Sequence, residues 1–181
     1  MLLAAGGGRR FAGASHKLLA PFRGRSVVSW AIDAAVGAAF DETIIVDGAV
    51  DLAPHLPAGL IRLHNVDWAE GQAGSLALAL DHARTCGHDT VVVGLGDQPL
   101  ITNDAWRRVG AADGTPISVA TYDGQRRNPV RLSEIVWALL PRSGDVGARD
   151  LIADHPEWVQ DVPCPGTPVD IDTMEDLYRW S

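Results

Sequence analysis

Leu2-Leu3-Ala4-Ala5-Gly6-Gly7-Gly8-Arg9-Arg10-Phe11-Ala12-Gly13-Ala14-Ser15-His16-Lys17 is a short apolar run that breaks into glycines and ends on basic residues. Such a run reads as a strand delivering its backbone to a loop. Without Cβ atoms, the main-chain N–H groups of Gly6, Gly7 and Gly8 can approach phosphate oxygens closely. Arg10 and Lys17 can supply positive charge beside them. Spacing excludes two common phosphate loops. The pattern Gly-x-Gly-x-x-Gly fits Gly6 and Gly8 but meets Phe11 where its third glycine belongs. The pattern of Gly, four residues, Gly and Lys fits Gly8 and Gly13 but meets Ala14 at the lysine position. Taken alone, the loop is also consistent with an ordinary glycine-rich turn between a strand and a helix.

The chain of 181 residues is 46% apolar and 21% charged, which suits one soluble globular domain spanning 1–181. Its net charge of −8 argues against broad nucleic-acid binding, which needs a basic surface. A local basic pocket at Arg9, Arg10 and Lys17 remains compatible with that charge. Cys86 and Cys164 are far apart without metal-ligand spacing, so a reducing, cytoplasmic setting is expected. No apolar run is long enough to span a membrane, and the N-terminus lacks the basic leader of a signal peptide. The six histidines show no metal spacing either; His16, beside Lys17, is expected in solvent or near phosphate. The tryptophans are scattered and read as core or rim.

Working outward, apolar residues recur at helical spacing from Ser26 to Phe40. Thr43-Ile44-Ile45-Val46 and Leu60-Ile61-Arg62-Leu63 read as strands. Gly71 to Gly74 reads as a loop, with Ser75 capping a helix through Leu76, Leu80 and Ala83. Thr90 to Leu95 is the clearest strand. Thr102 or Asn103 caps a short helix carrying Trp106 and Val109. Residues 116–121 and 129–132 flank the turn Asp123-Gly124 and can pair. Short helices are expected over 134–140 and 146–153, an edge strand over 158–162, and a last helix over 173–180. Strands alternating with helices imply a three-layer α/β fold with a mostly parallel sheet. In such sheets ligands bind at the carboxyl ends of strands, where both Gly6–Gly8 and Gly96-Asp97 fall.

Gly96-Asp97-Gln98-Pro99 places a carboxylate at a strand end, which suits Mg²⁺ bound beside phosphates. An Asp-initiated turn stiffened by Pro99 explains the same residues. Near the C-terminus, Val169-Asp170-Ile171-Asp172-Thr173-Met174-Glu175-Asp176-Leu177 offers further carboxylates. It also makes a good helix start with a capping box. In an extended segment Asp170 would face the same side as Asp172.

Together these motifs resemble the molybdenum cofactor cytidylyltransferases and the wider MobA-like NTP transferase family. The match runs from the Leu-Ala-Ala-Gly loop and Lys17 through Trp68-x-x-Gly71-x-x-x-Ser75 and Gly96-Asp97-x-Pro99. It continues with Gly144-Asp145-x-Gly147-Ala148-Arg149 and Asp170-Ile171-Asp172-Thr173. The resemblance implies a Rossmann-like nucleotidyltransferase fold with a mixed, mostly parallel sheet. It implies nucleotide binding by Leu3, Ala4, Ala5, Gly6, Gly7, Gly8, Gly71 and Ser75. Catalysis would involve Arg10, Lys17 and Asp97, with Asp97 and Asp172 holding Mg²⁺ and Asp170 in reserve. Acceptor binding would fall to Asn128, Asp145 and Arg149. CTP is favoured over GTP by Leu3-Ala4-Ala5-Gly6 and Lys17-Leu18-Leu19-Ala20-Pro21, and molybdopterin is the implied acceptor. A molybdenum hydroxylase apoenzyme is an implied recipient, and neither nucleic acid nor membrane is expected as partner. Relatives usually carry more residues before the loop than Met1–Ala4 provide, so either an upstream start or a short central strand is expected. Two departures stand out: Asn128 replaces a histidine, and Met174 replaces a proline. An NADPH oxidoreductase of the nicotine-blue type and a non-catalytic carrier for a molybdenum enzyme are the alternative readings.

Overall fold

The computed structural model describes residues 1–181. In chain order the elements are β1 (Leu2–Ala4), β2 (Pro21–Phe22), β3 (Arg25–Ser26), α1 (Val27–Val36), β4 (Ile44–Asp47), β5 (Ile61–His64), α2 (Gln72–Thr85) and β6 (Thr90–Leu95). There follow α3 (Asn103–Ala111), β7 (Ile117–Tyr122), β8 (Gln125–Ser133), α4 (Glu134–Trp137), α5 (Arg149–Asp154), β9 (Val159–Pro163) and α6 (Met174–Trp180). Seven strands form one sheet in the order β5-β4-β1-β6-β8-β7-β9, and β2 and β3 form a separate two-stranded ribbon. Only β8 runs against the others in the large sheet.

Side chains alternate across the pleat, and the two apolar clusters follow from that. Leu3, Ile44, Val46, Val91 and Val93 pack against Leu76, Leu80 and Ala83 of α2 and Trp137 of α4. Leu2, Ala4, Ile45 and Val92 face the other way, onto Val28 and Ile32 of α1 and Trp106 and Val109 of α3. The result is the expected three-layer arrangement, with β1 buried on both faces. That central strand is short: three residues, continued by Met1, whose amine donates to the Val92 carbonyl at 2.6 Å. No helix is long and apolar enough to cross a membrane.

Several local signals act as expected. Thr102 caps α3 by accepting the Ala105 N–H at 3.2 Å, and Thr173 and Asp176 form a capping box on α6. Asp123 and Gly124 both have positive φ, 49° and 77°, and join β7 to β8 as a two-residue hairpin turn. β9 forms the sheet edge beside β7. Other elements differ. α1 stops at Val36, where Gly37 and then Ala39, at φ 59°, break the helix well before Phe40. α4 is only four residues long, and α5 begins at Arg149 rather than Val146. Ser75 is not a cap: α2 already begins at Gln72, so Ser75 lies in its first turn, buried and bonded to Asn65 at 2.9 Å.

Candidate active site

The carboxyl ends of β1, β4 and β6 share one edge of the sheet, and the loops that follow them meet there. After β1 the chain turns through the glycines, and Gly8 adopts φ +58°, a left-handed conformation that suits glycine. His16 ties the two ends of this loop together. Its Nδ1 accepts the Leu18 N–H at 3.3 Å, so the proton resides on Nε2, which donates to the Gly6 carbonyl at 3.0 Å. Burial lowers the His16 pKa; the Gly6 carbonyl opposes that shift and the Lys17 charge adds to it. The expectation of a solvent-exposed His16 is therefore corrected: the ring is half-buried and organises the loop.

Lys17 follows directly in a 3-10 turn and is 8% exposed. Its Nζ donates to Asp97 Oδ2 at 2.6 Å and to Asp172 Oδ1 at 2.8 Å. Arg10 donates to the other oxygen of Asp172, also at 2.6 Å. Burial pulls the ammonium pKa down, but the two carboxylates outweigh it and raise the value above that of an ordinary lysine. Residues 10, 17, 97 and 172 thus form one alternating charge centre. Asp97 Oδ1 is buried and has no partner. An orphaned carboxylate oxygen next to a second carboxylate fits a hard divalent cation, which Asp97 and Asp172 could hold. Asp170 does not join Lys17. Its Oδ1 accepts from Gln98 Nε2 at 2.9 Å, and burial, reinforced by Asp97, raises its pKa.

Two clefts open beside this centre. The first, of about 420 Å³, is lined by Leu3 to Arg10, by Lys17 and Asp97, and by Trp68, Gly71, Gln72 and Ser75 on the far wall. Every residue expected to bind nucleotide lies on it. The second, of about 440 Å³, is lined by Asn128, Asp145, Arg149 and Asp170, with Arg126, Arg127 and Gln98. Leu95, Gln72 and Asp145 belong to both, so the clefts are neighbours across a thin wall.

The wall is held by backbone. Gly71, at φ +115°, packs so closely on Gly144 that a Cβ would sit 2.3 Å from its carbonyl carbon. Ala73 N–H donates to the Gly144 carbonyl at 2.9 Å, and Gly144 N–H donates to that of Glu70 at 3.1 Å. Trp68 lies across the floor in the same way. A Cβ on Gly7 would meet its ring at 2.7 Å, and one on Gly48 would meet its Cβ at 2.6 Å. Sequence reasoning missed Gln98, whose Oε1 is buried without a partner beside the second cleft, and Asn65, which fixes Ser75. For Gln98 the signal was its place directly after Asp97; nothing local marks Asn65.

A family profile described as the MobA-like NTP transferase domain matches residues 1–159. The chain belongs to the MobA-like NTP transferase family. Among curated proteins it is 31% identical to the nicotine blue oxidoreductase of Paenarthrobacter nicotinovorans, covering 99% of this chain and 94% of that protein. It is 27% identical to the purine catabolism protein PucB of Bacillus subtilis, covering 84% and 78%. Among solved structures, Rv0371c of Mycobacterium tuberculosis superposes with a TM-score of 0.85 at 29% identity, covering 99% of this chain and 94% of that one. Rv0371c has also been solved in complex with manganese. The fold of this MobA-like chain is the Rossmann-like fold of the nucleotidyltransferases.

Proposed function

We propose that this MobA-like protein transfers a nucleotidyl group, CMP in preference to GMP, from an NTP to the terminal phosphate of a small acceptor, with molybdopterin as the acceptor. The observation that carries the proposal is the Arg10–Asp172–Lys17–Asp97 centre beside two adjoining clefts, one floored by glycine backbone and one flanked by arginines. Residues 1–181 would work as one domain. Asp172 lies beyond the matched residues 1–159 yet closes onto Lys17.

In this reading the N–H groups of Gly6 to Gly8 and the Arg10 guanidinium hold the β- and γ-phosphates. Lys17 lies against the α-phosphate, where charge develops during transfer. Trp68, Gly71 and Ser75 flank the base and ribose. Arg127 and Arg149 receive the acceptor phosphate, with Asn128 and Asp145 orienting the rest of that molecule. An acceptor phosphate oxygen attacks the α-phosphorus in line; the bond to the bridging β-oxygen breaks, and pyrophosphate departs with that electron pair. The attacking oxygen is already ionised, so no general base is required. A divalent ion, Mg²⁺ in this proposal, would be held by Asp97 and Asp172 and would neutralise charge on the phosphates. The preference for CTP rests on the resemblance of Leu3-Ala4-Ala5-Gly6 and Lys17–Pro21 to cytidylyl-transferring relatives. Similarity to a purine catabolism protein is compatible with service to a molybdenum hydroxylase apoenzyme. The free cysteines suit the cytoplasm as its location.

A second reading, NADPH-dependent oxidoreduction, is favoured by one observation: 31% identity to nicotine blue oxidoreductase along almost the whole chain. A thermal-shift panel of CTP, GTP, ATP, UTP and NADPH, each with and without Mg²⁺, separates the two. A ligand at about 100 times its Kd stabilises the fold by roughly 2.7 kcal/mol. A Mg²⁺-dependent shift with CTP, followed by pyrophosphate release when molybdopterin is added, is the expected result. A shift with NADPH alone would replace the transferase reading by the second one.

A further inference from the structure

Far from both clefts, at the amino-terminal edge of the sheet, three side chains with metal-ligating atoms converge, and His88 bonds to one of them. His82 lies near the end of α2, and Cys86 follows as its C-cap, four residues on and therefore on the same face. Gly87, at φ +79°, turns the chain and returns His88 ahead of β6. Glu42 reaches in from the connection between α1 and β4. Its Oε2 lies 2.9 Å from His88 Nε2 and 3.5 Å from His82 Nε2, and Cys86 Sγ lies 3.4 Å from His82 Nε2. The ligand atoms of Glu42, His82 and Cys86 all fall within 4.8 Å of one another.

We propose that Glu42, His82 and Cys86 bind a zinc-type divalent ion through one carboxylate, one imidazole and one thiolate, leaving its fourth position open, with His88 bonded to the Glu42 carboxylate as an outer partner. Ligand chemistry and spacing both support this. With Zn–N and Zn–O near 2.1 Å and Zn–S near 2.3 Å, the edges of a tetrahedral site are about 3.4–3.6 Å long. The separations from His82 to Glu42, 3.5 Å, and to Cys86, 3.4 Å, already have that length. The donor set is softer than the all-oxygen pair Asp97 and Asp172, so the two centres favour different ions. Glu42, His82 and His88 are each about a quarter exposed, which leaves the site open to solution. The sequence does not mark His82-x₃-Cys86 as metal spacing; its place at a helix end, opposite Glu42, brings the atoms together. A bound ion would fasten the end of α2 to the α1–β4 connection, and it would release the thiol proton.

The probe is Co²⁺, added to metal-free protein and displaced by Zn²⁺, in a variant carrying Asp97→Asn and Asp172→Asn so that the oxygen centre is silent. The expected result is one equivalent of a thiolate-to-Co(II) charge-transfer band that Zn²⁺ abolishes. Cys86→Ser removes the band and Cys164→Ser keeps it. His88→Gln weakens Zn²⁺ binding by the roughly tenfold that loss of an outer-shell partner costs, and His82→Gln, which removes a ligand, weakens it more. These side chains sit at the surface, so circular dichroism of each variant should match the parent. Absence of the band, or a band that survives Cys86→Ser, overturns the proposal.

Discussion

At the scale of single residues, Lys17 is the most exacting position. It holds its charge between Asp97 and Asp172, with 8% of its surface exposed. If it stabilises charge that appears only during transfer, Lys17→Ala should lower kcat by about 10²–10³ while the KM for NTP moves little. Steady-state pyrophosphate release measures both, and an unchanged kcat would remove Lys17 from the reacting centre. Asp97→Asn should leave no turnover above background in the same assay, with circular dichroism unchanged. His16 predicts a different signature, because it acts on the loop and not on the phosphates. Its latch requires a neutral ring, and burial already lowers its pKa below the ordinary 6.5. As pH falls through that lowered value the ring gains a proton on Nδ1 and can no longer accept from Leu18. The KM for NTP should therefore rise toward acid in the parent protein. In His16→Ala it should be about tenfold higher at neutral pH, the worth of one hydrogen bond, and flat with pH.

The elements show why some features could be read in advance and others could not. Strands β4 and β6 announce themselves through β-branched runs, and Thr102 and Thr173 announce helix starts, because those signals act within a few residues. Ser75 misled because a good cap residue can equally stand in a first turn; what decides is Gly71, whose φ of +115° and contact with Gly144 start α2 four residues earlier. That contact joins positions more than seventy residues apart, and no local pattern encodes it. Gly71→Ala combines a left-handed backbone with a Cβ 2.3 Å from the Gly144 carbonyl carbon. It should disorder the wall between the clefts and raise the KM for both substrates; unchanged binding of each would show that the wall is not part of either site. On the sheet, Gly94 lies under the Trp106 ring, 2.5 Å from where a Cβ would stand. Gly94→Ala should cost about 1–3 kcal/mol through overpacking, read as a lower denaturation midpoint with unchanged slope.

For the whole molecule, two aspartates set the response to pH in opposite directions. Asp47 is fully buried and accepts from Arg62 at 2.6 Å, His64 at 2.8 Å and the Leu52 N–H at 3.0 Å. Burial raises its pKa, yet these partners outweigh that and bring it below the ordinary 3.8. Its contribution is complete above pH 3.8 and is lost as pH falls through the lowered value. Asp170 runs the other way. Its raised pKa means that the folded state binds its proton first, so stability is gained as pH falls through that raised value toward 3.8. Urea titrations across pH should show Asp170→Asn losing this gain, while Asp47→Asn costs roughly 2 kcal/mol at neutral pH and progressively less as pH falls through the lowered value. None of this can be read from the sequence, where Asp47 only follows a strand and Asp170 is a reserve metal ligand; their surroundings come from distant loops. The order in which the charge centre is made along the chain also matters. Residues 10, 17 and 97 precede Asp172, which α6 anchors by packing Leu177 beside Phe22 and Val27. While the segment that carries Asp172 is unfolded, Lys17 faces only Asp97. In the proposed mechanism, then, the first loop is charged for transfer only after a segment some 155 residues downstream has closed onto it.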